Sequence, residues 1–80
     1  MTSVVLLYAG WCHNCPKAKK LWQDLKGEYE FDYREVDVES DEGQQFVEEL
    51  GVMGVPTTII DNDVVFVGIP DKNEAISKIT

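Results

Sequence analysis

Cys12 and Cys15 are the only cysteines of the chain, and they stand where one hydrophobic pattern gives way to another. Before them, Val4-Val5-Leu6-Leu7-Tyr8 is apolar and β-prone throughout, as expected of a strand buried on both faces near the middle of a sheet. After them, Ala18, Leu21, Trp22 and Leu25 recur at helical spacing. The segment Trp11-Cys12-His13-Asn14-Cys15-Pro16 therefore lies at a strand-to-helix junction. A Cys-x-x-Cys in that setting is the arrangement of a redox dithiol.

The first helix is predicted from near Cys12 to Lys26, with Pro16 in its first turn and Gly27 as its stop. Phe31 to Val38 alternates apolar and charged residues, the pattern of a half-covered strand at a sheet edge. Ser40 or Asp41 caps a short helix whose Phe46, Val47 and Leu50 form the inward stripe, and Gly51 closes it. Thr57–Ile60 and Val64–Val67 flank the polar link Asp61-Asn62-Asp63 and read as an antiparallel hairpin. Asp71 and Glu74 have capping-box spacing ahead of a last helix with Ala75, Ile76 and Ile79 inward. The order βαβ, α, ββα implies an α/β fold with one small mixed sheet.

Eighty residues suffice for one domain, residues 1–80, and 44% apolar content suits a folded one. Met1-Thr2-Ser3 has no basic n-region and Val4–Tyr8 is too short for an h-region, so no signal peptide is expected. No stretch approaches the roughly 20 apolar residues of a membrane span. The expected location is the cytoplasm, where a cysteine pair is catalytic or metal-binding rather than a structural staple. The net charge of −8 argues against nucleic-acid and membrane partners, because phosphate backbones and anionic headgroups would repel it. Lys17, Lys19 and Lys20 form a local exception just beyond the dithiol, where they either steer acidic partners or simply solvate a helix face.

A thiolate attacks disulfides, so the attacking cysteine needs its thiol acidified. Cys12, at the predicted helix start, is expected to meet unpaired N–H groups and the positive dipole end, and to be the more exposed sulfur. Cys15, one turn later, is expected to be shielded. The roles that follow are Cys12 as attacking and Cys15 as resolving nucleophile. His13 either stabilises the Cys12 thiolate when protonated or is a loop histidine of little effect. The competing reading of the pair is half a zinc site, but Cys12, Cys15 and His13 fall short of the four ligands structural zinc takes. A second constellation is Gly51-Val52-Met53-Gly54-Val55-Pro56-Thr57, whose proline must occupy a strand's beginning because it cannot donate to the ladder.

With both segments in place, nearly the whole chain resembles the thioredoxin/glutaredoxin superfamily. Trp11-Cys12-His13-Asn14-Cys15 is similar to the thioredoxin active-site pattern, Gly51–Thr57 to the stretch entering its cis-proline, and Val67-Gly68 to the turn before its last helix. The resemblance implies a thioredoxin-like βαβαββα fold, a four-stranded mixed sheet flanked by three helices. It further implies a redox-active Cys12–Cys15 disulfide tuned by Trp11, His13, Asn14 and Pro16, with no metal and no cofactor on the chain. Pro56 is then cis, and Val55, Pro56 and Gly68 form the substrate-binding edge, Val55 pairing with substrate like an added strand. The length is that of glutaredoxins, yet Ala9 stands where those carry a basic residue for glutathione, and Ile69-Pro70 interrupts their γ-glutamyl-binding run. Leu6 stands where thioredoxins bury an aspartate. This mixture is similar to the small thioredoxins of archaea. The implied activity is reduction of protein disulfides by a monomer fed by a flavin-dependent disulfide reductase, with flavin and nicotinamide held by that partner. The alternatives are a glutathione-dependent glutaredoxin and, from another class, a metal-binding or iron–sulfur-bridging module.

Overall fold

The computed structural model describes residues 2–80. Its strands are β1 (Ser3–Tyr8), β2 (Asp32–Asp37), β3 (Thr57–Ile60) and β4 (Asp63–Val67), and its helices α1 (Cys15–Glu28), α2 (Asp41–Leu50) and α3 (Lys72–Ile79). The sheet order is β2-β1-β3-β4, with β1 parallel to β2 and antiparallel to β3, and β3 antiparallel to β4. The uniformly apolar β1 is interior, with Val4 to Leu7 all buried, whereas the alternating β2 is an edge. Right-handed βαβ connectivity accounts for the parallel pair, since α1 must cross the sheet to bring β2 beside β1.

Two apolar layers follow from the alternation of side chains along β1. Val4 and Leu6 join Ala18, Trp22 and Leu25 of α1 and Ala75 and Ile79 of α3 on one face. Val5 and Leu7 join Val36, Val52 and Ile59 under α2 on the other. Trp22 centres the first layer, edge-on to Phe31 with ring centroids 6.0 Å apart, and its Nε1–H donates to Thr58 Oγ1 at 3.1 Å. That bond is what allows a fully buried indole, since an unpaired buried N–H costs about 1–3 kcal/mol.

Four local expectations change. The first helix begins at Cys15, not near Cys12, with Asn14 as its N-cap residue. A helix starting at Cys12 would need residue 16 to donate its N–H to the Cys12 carbonyl, and Pro16 has none. Gly27 does not stop α1. The helix continues to Glu28, the Tyr29 N–H closes on the Leu25 carbonyl at 2.8 Å, and Lys26 Nζ donates to the Phe31 carbonyl beyond the end. The hairpin link is two residues rather than three, because Asp63 pairs with Ile60. Asp61 and Asn62 take φ of 50° and 69°, the left-handed pair that matches a two-residue turn to strand twist. Phe46, Val47 and Leu50 are only half-buried, since α2 alone covers its face of the sheet.

Ser40 caps α2, accepting from the Gly43 N–H at 3.0 Å, and Gly51 ends it at φ 68°. Asp71 caps α3, accepting from the N–H groups of Asn73 and Glu74. Among the described residues no helix is long and apolar enough to cross a membrane.

Candidate active site

The C-terminal end of β1 and the beginning of α1 are joined by the loop 9–14, which carries Cys12, while Cys15 is the first residue of α1. The loop's first turn is closed by the Cys12 N–H donating to the Ala9 carbonyl at 3.2 Å. Cys12 and Cys15 are joined as a disulfide with their Cα atoms 5.5 Å apart, within the span such a bond requires. The two sulfurs differ in setting: Cys12 is half-exposed, whereas Cys15 is 1% exposed. Although Cys12 precedes the helix, the helix still acts on it. The N–H of Cys15, the first helical residue, points at Cys12 Sγ at 3.1 Å. An unpaired helix N–H directed at sulfur, together with the positive dipole end, favours a thiolate there once the disulfide is reduced.

Trp11, 68% exposed, is held by its indole N–H donating to Glu39 Oε1 at 2.8 Å. Its ring lines a shallow groove of about 250 Å³ with Val38, Val47, Val52, Met53, Gly54 and Val55. The active-site loop and the proline segment, distant in sequence, thus border one surface. The Val55–Pro56 peptide bond is cis, and the Thr57 hydroxyl donates to the Gly54 carbonyl at 2.6 Å just beside it. Gly68, at φ 91°, donates its N–H to the Pro56 carbonyl at 2.8 Å, tying the end of β4 to the cis-proline. Few residues other than glycine tolerate that backbone.

Of the residues singled out from sequence, Trp11 and Val55 therefore border one groove, and Gly68 is bonded to Pro56, the next residue after Val55. His13, Asn14 and Pro16 are exposed on the loop and first turn. Asn14 contributes its backbone carbonyl, which accepts from Ala18, but makes no side-chain cap bond. Leu6 is wholly buried in the α1 layer. Among the described residues no group of three or more His, Cys, Asp or Glu side chains is gathered where it could hold a metal ion.

Three contributors were missed in the sequence. Glu39 is one of eleven acids scattered between Asp24 and Glu49, and nothing local marks it as Trp11's partner 28 residues away. Met53 falls inside the proline segment, yet its 99% exposure beside the groove follows only from how the loop is laid on the sheet. Lys19 was read with its neighbours as part of a surface cluster, whereas its ammonium lies 3.6 Å from the centroid of the Tyr8 ring.

A sheet of this order with a cysteine pair at the start of α1 and a cis-proline before β3 defines a thioredoxin-like protein, and the comparisons agree. A family model described as a thioredoxin domain matches residues 2–80, and the chain belongs to that family. It is similar to a thioredoxin of Methanocaldococcus jannaschii, 39% identical over 71 residues that cover 84% of this chain and 82% of that protein. A probable thioredoxin of Archaeoglobus fulgidus is 30% identical over 74 residues, 92% of this chain and 81% of its own length. Among solved structures, a mutant thioredoxin from Halobacterium salinarum NRC-1 superposes with a TM-score of 0.79 at 28% identity, covering 98% of this chain and 71% of that one. With its Cys-x-x-Cys pair, the chain is a thiol–disulfide oxidoreductase of thioredoxin type.

Proposed function

We propose that this protein reduces disulfides in target proteins, Cys12 making the attack and Cys15 the resolution. The observation that carries this reading is the asymmetry of the pair: one half-exposed sulfur facing a helix N–H, and one buried sulfur behind it. Reduced Cys12 attacks a substrate disulfide and forms a mixed disulfide, releasing the first substrate sulfur as a thiolate that takes up a proton. The Cys15 thiolate then attacks Cys12 Sγ. The Cys12–Cys15 bond forms as the bond to substrate breaks, and the second substrate thiol departs. Two electrons pass from the dithiol to the substrate.

A protein substrate suits the surface around the sulfurs. Val55 lies just before β3 and takes no part in its ladders, so its backbone is placed to pair with an extended substrate segment. The Gly68 N–H holds the Pro56 carbonyl beside that segment, and the groove beside Trp11 accepts an apolar side chain. A flavin-dependent disulfide reductase returns electrons to the Cys12–Cys15 disulfide, so the organic cofactors reside on that partner. The protein works as a monomeric single domain in the cytoplasm, where thiols are kept reduced.

Reduction of insulin by dithiothreitol, run beside a glutathione-coupled assay on a small mixed disulfide, tests this. Accelerated insulin reduction without glutathione-coupled turnover is expected. Turnover in the glutathione assay alone would replace this reading with that of a glutaredoxin.

A further inference from the structure

Cys15 is 1% exposed, and burial disfavours a charged sulfur, yet only a thiolate displaces substrate from Cys12. The helix N–H that serves Cys12 is Cys15's own and points away from its side chain. Some other group has to favour ionisation of the resolving thiol.

Lys19 is one helical turn after Cys15, so the two side chains are neighbours on α1, with Cβ atoms about 5–6 Å apart. Helical side chains lean towards the N-terminus, which carries Lys19 back over the Cys15 turn. Its Nζ lies 3.6 Å from the centroid of Tyr8, the last residue of β1 and the root of the loop that leads into Cys12. The ring holds this ammonium against the sheet. Lys19 is accordingly half-buried, whereas Lys17 and Lys20 are exposed, and Lys20 is engaged with Asp24 at 3.6 Å. Among the described residues no carboxylate pairs with Lys19.

We propose that Lys19 is a positioning residue for the resolving step: its ammonium, fixed on the Tyr8 ring, lowers the pH at which the Cys15 thiol becomes a thiolate. This rests on the assignment of Cys12 to attack and Cys15 to resolution. The charged and titratable groups around it come from each neighbouring element. From β1 it is Tyr8. From β2 they are Glu35, whose Oε2 accepts from Gln23 and Tyr33, and Asp37, opposite Tyr8 in register, whose Oδ1 accepts the Glu39 N–H. From the loop it is exposed His13. The two carboxylates oppose a nearby thiolate, and Lys19 favours it. The Cys15 proton passes to solvent, the sulfur's electron pair forms the Cys12–Cys15 bond, and the pair of the broken bond leaves on the substrate sulfur, which is then protonated.

The test is stopped-flow reaction of the reduced protein with one equivalent of 5,5′-dithiobis(2-nitrobenzoate) across a pH series. Attack by Cys12 releases one chromophore in a second-order phase, and closure by Cys15 releases the other in a first-order phase. In Lys19→Gln, with its fold verified by circular dichroism, the first-order midpoint is expected to rise by about one pH unit, the second-order midpoint staying in place. Lys19→Arg should keep the wild-type midpoints. Two phases with an unmoved first-order midpoint in Lys19→Gln would overturn the role of Lys19 while leaving the cysteine assignment intact. A midpoint in Lys19→Arg equal to that of Lys19→Gln would also overturn it, since charge would then not be the cause. Absence of a second release in wild type would overturn the assignment itself.

Discussion

Replacing Gly43 by alanine sets two physical effects against each other with opposite signs. Gly43 is the third residue of α2 and is buried against the end of β2. A Cβ built there would sit 2.1 Å from the Asp37 carbonyl oxygen and 2.8 Å from Val38 Cα, both backbone atoms that cannot swing aside. Relief requires the start of α2 to lift. The same Asp37 carbonyl accepts the Ser40 N–H at 3.0 Å and its hydroxyl at 2.6 Å, so lifting the helix loosens its own cap. Overpacking of this kind costs about 3 kcal/mol at the upper end of its usual range. Alanine's better helix propensity returns about 1 kcal/mol. The net loss of about 2 kcal/mol corresponds to a fall in Tm of about 8–16 °C for a domain this small. Thermal unfolding followed by circular dichroism reads it. An unchanged or raised Tm would refute the reasoning, because propensity alone would then govern the site and the close approach of α2 to β2 would be absent.

Thr58→Val removes the acceptor of the buried Trp22 indole and should cost about 1–3 kcal/mol in urea unfolding, and an unchanged midpoint would show that the bond contributes nothing. Tyr33 has its hydroxyl pushed well above the ordinary range, first by burial, then by its bond to the Glu35 carboxylate and that group's charge. Its folded value lies above the unfolded value near 10.0, so its contribution is complete below that pH and declines as pH rises beyond it. Stability measured from pH 9 upward should therefore fall less steeply in Tyr33→Phe, on the order of what one tyrosine titration adds. Trp11→Ala strips the ring from the groove beside Val55 and should raise KM for a protein disulfide several-fold while sparing reaction with a small aromatic disulfide.

The sheet was legible in sequence because its signals are local. An unbroken apolar run can only be interior, an alternating one belongs at an edge, and the short polar link Asp61-Asn62-Asp63 between two β-prone runs signals a hairpin, though not that its turn is only two residues. The dithiol was legible for the same reason, being a short motif with its own chemistry, whereas the cis state of Pro56 came only from the family resemblance. Contacts set by how elements are laid on one another were not legible. The close approach that requires Gly43, the bond from Glu39 to Trp11 and the seat of Lys19 on Tyr8 all join residues whose own sequence surroundings are ordinary. The helix start fell between these cases. Pro16 belongs in a first turn, as expected, but its missing N–H also forbids that turn from beginning at Cys12. The shift changes how Cys12 is activated: Cys12 lies outside the helix, and the N–H of the first helical residue, Cys15, is aimed at its sulfur.

Division of labour between the two sulfurs is the core of this account, and trapping tests it most directly. Cys15→Ser, incubated with insulin under non-reducing conditions and resolved by mass spectrometry, should accumulate a covalent adduct through Cys12 and lose catalytic turnover, while Cys12→Ser should form no adduct. Full protein-disulfide turnover by Cys15→Ser, or an adduct formed through Cys15 in the Cys12→Ser protein, would contradict it.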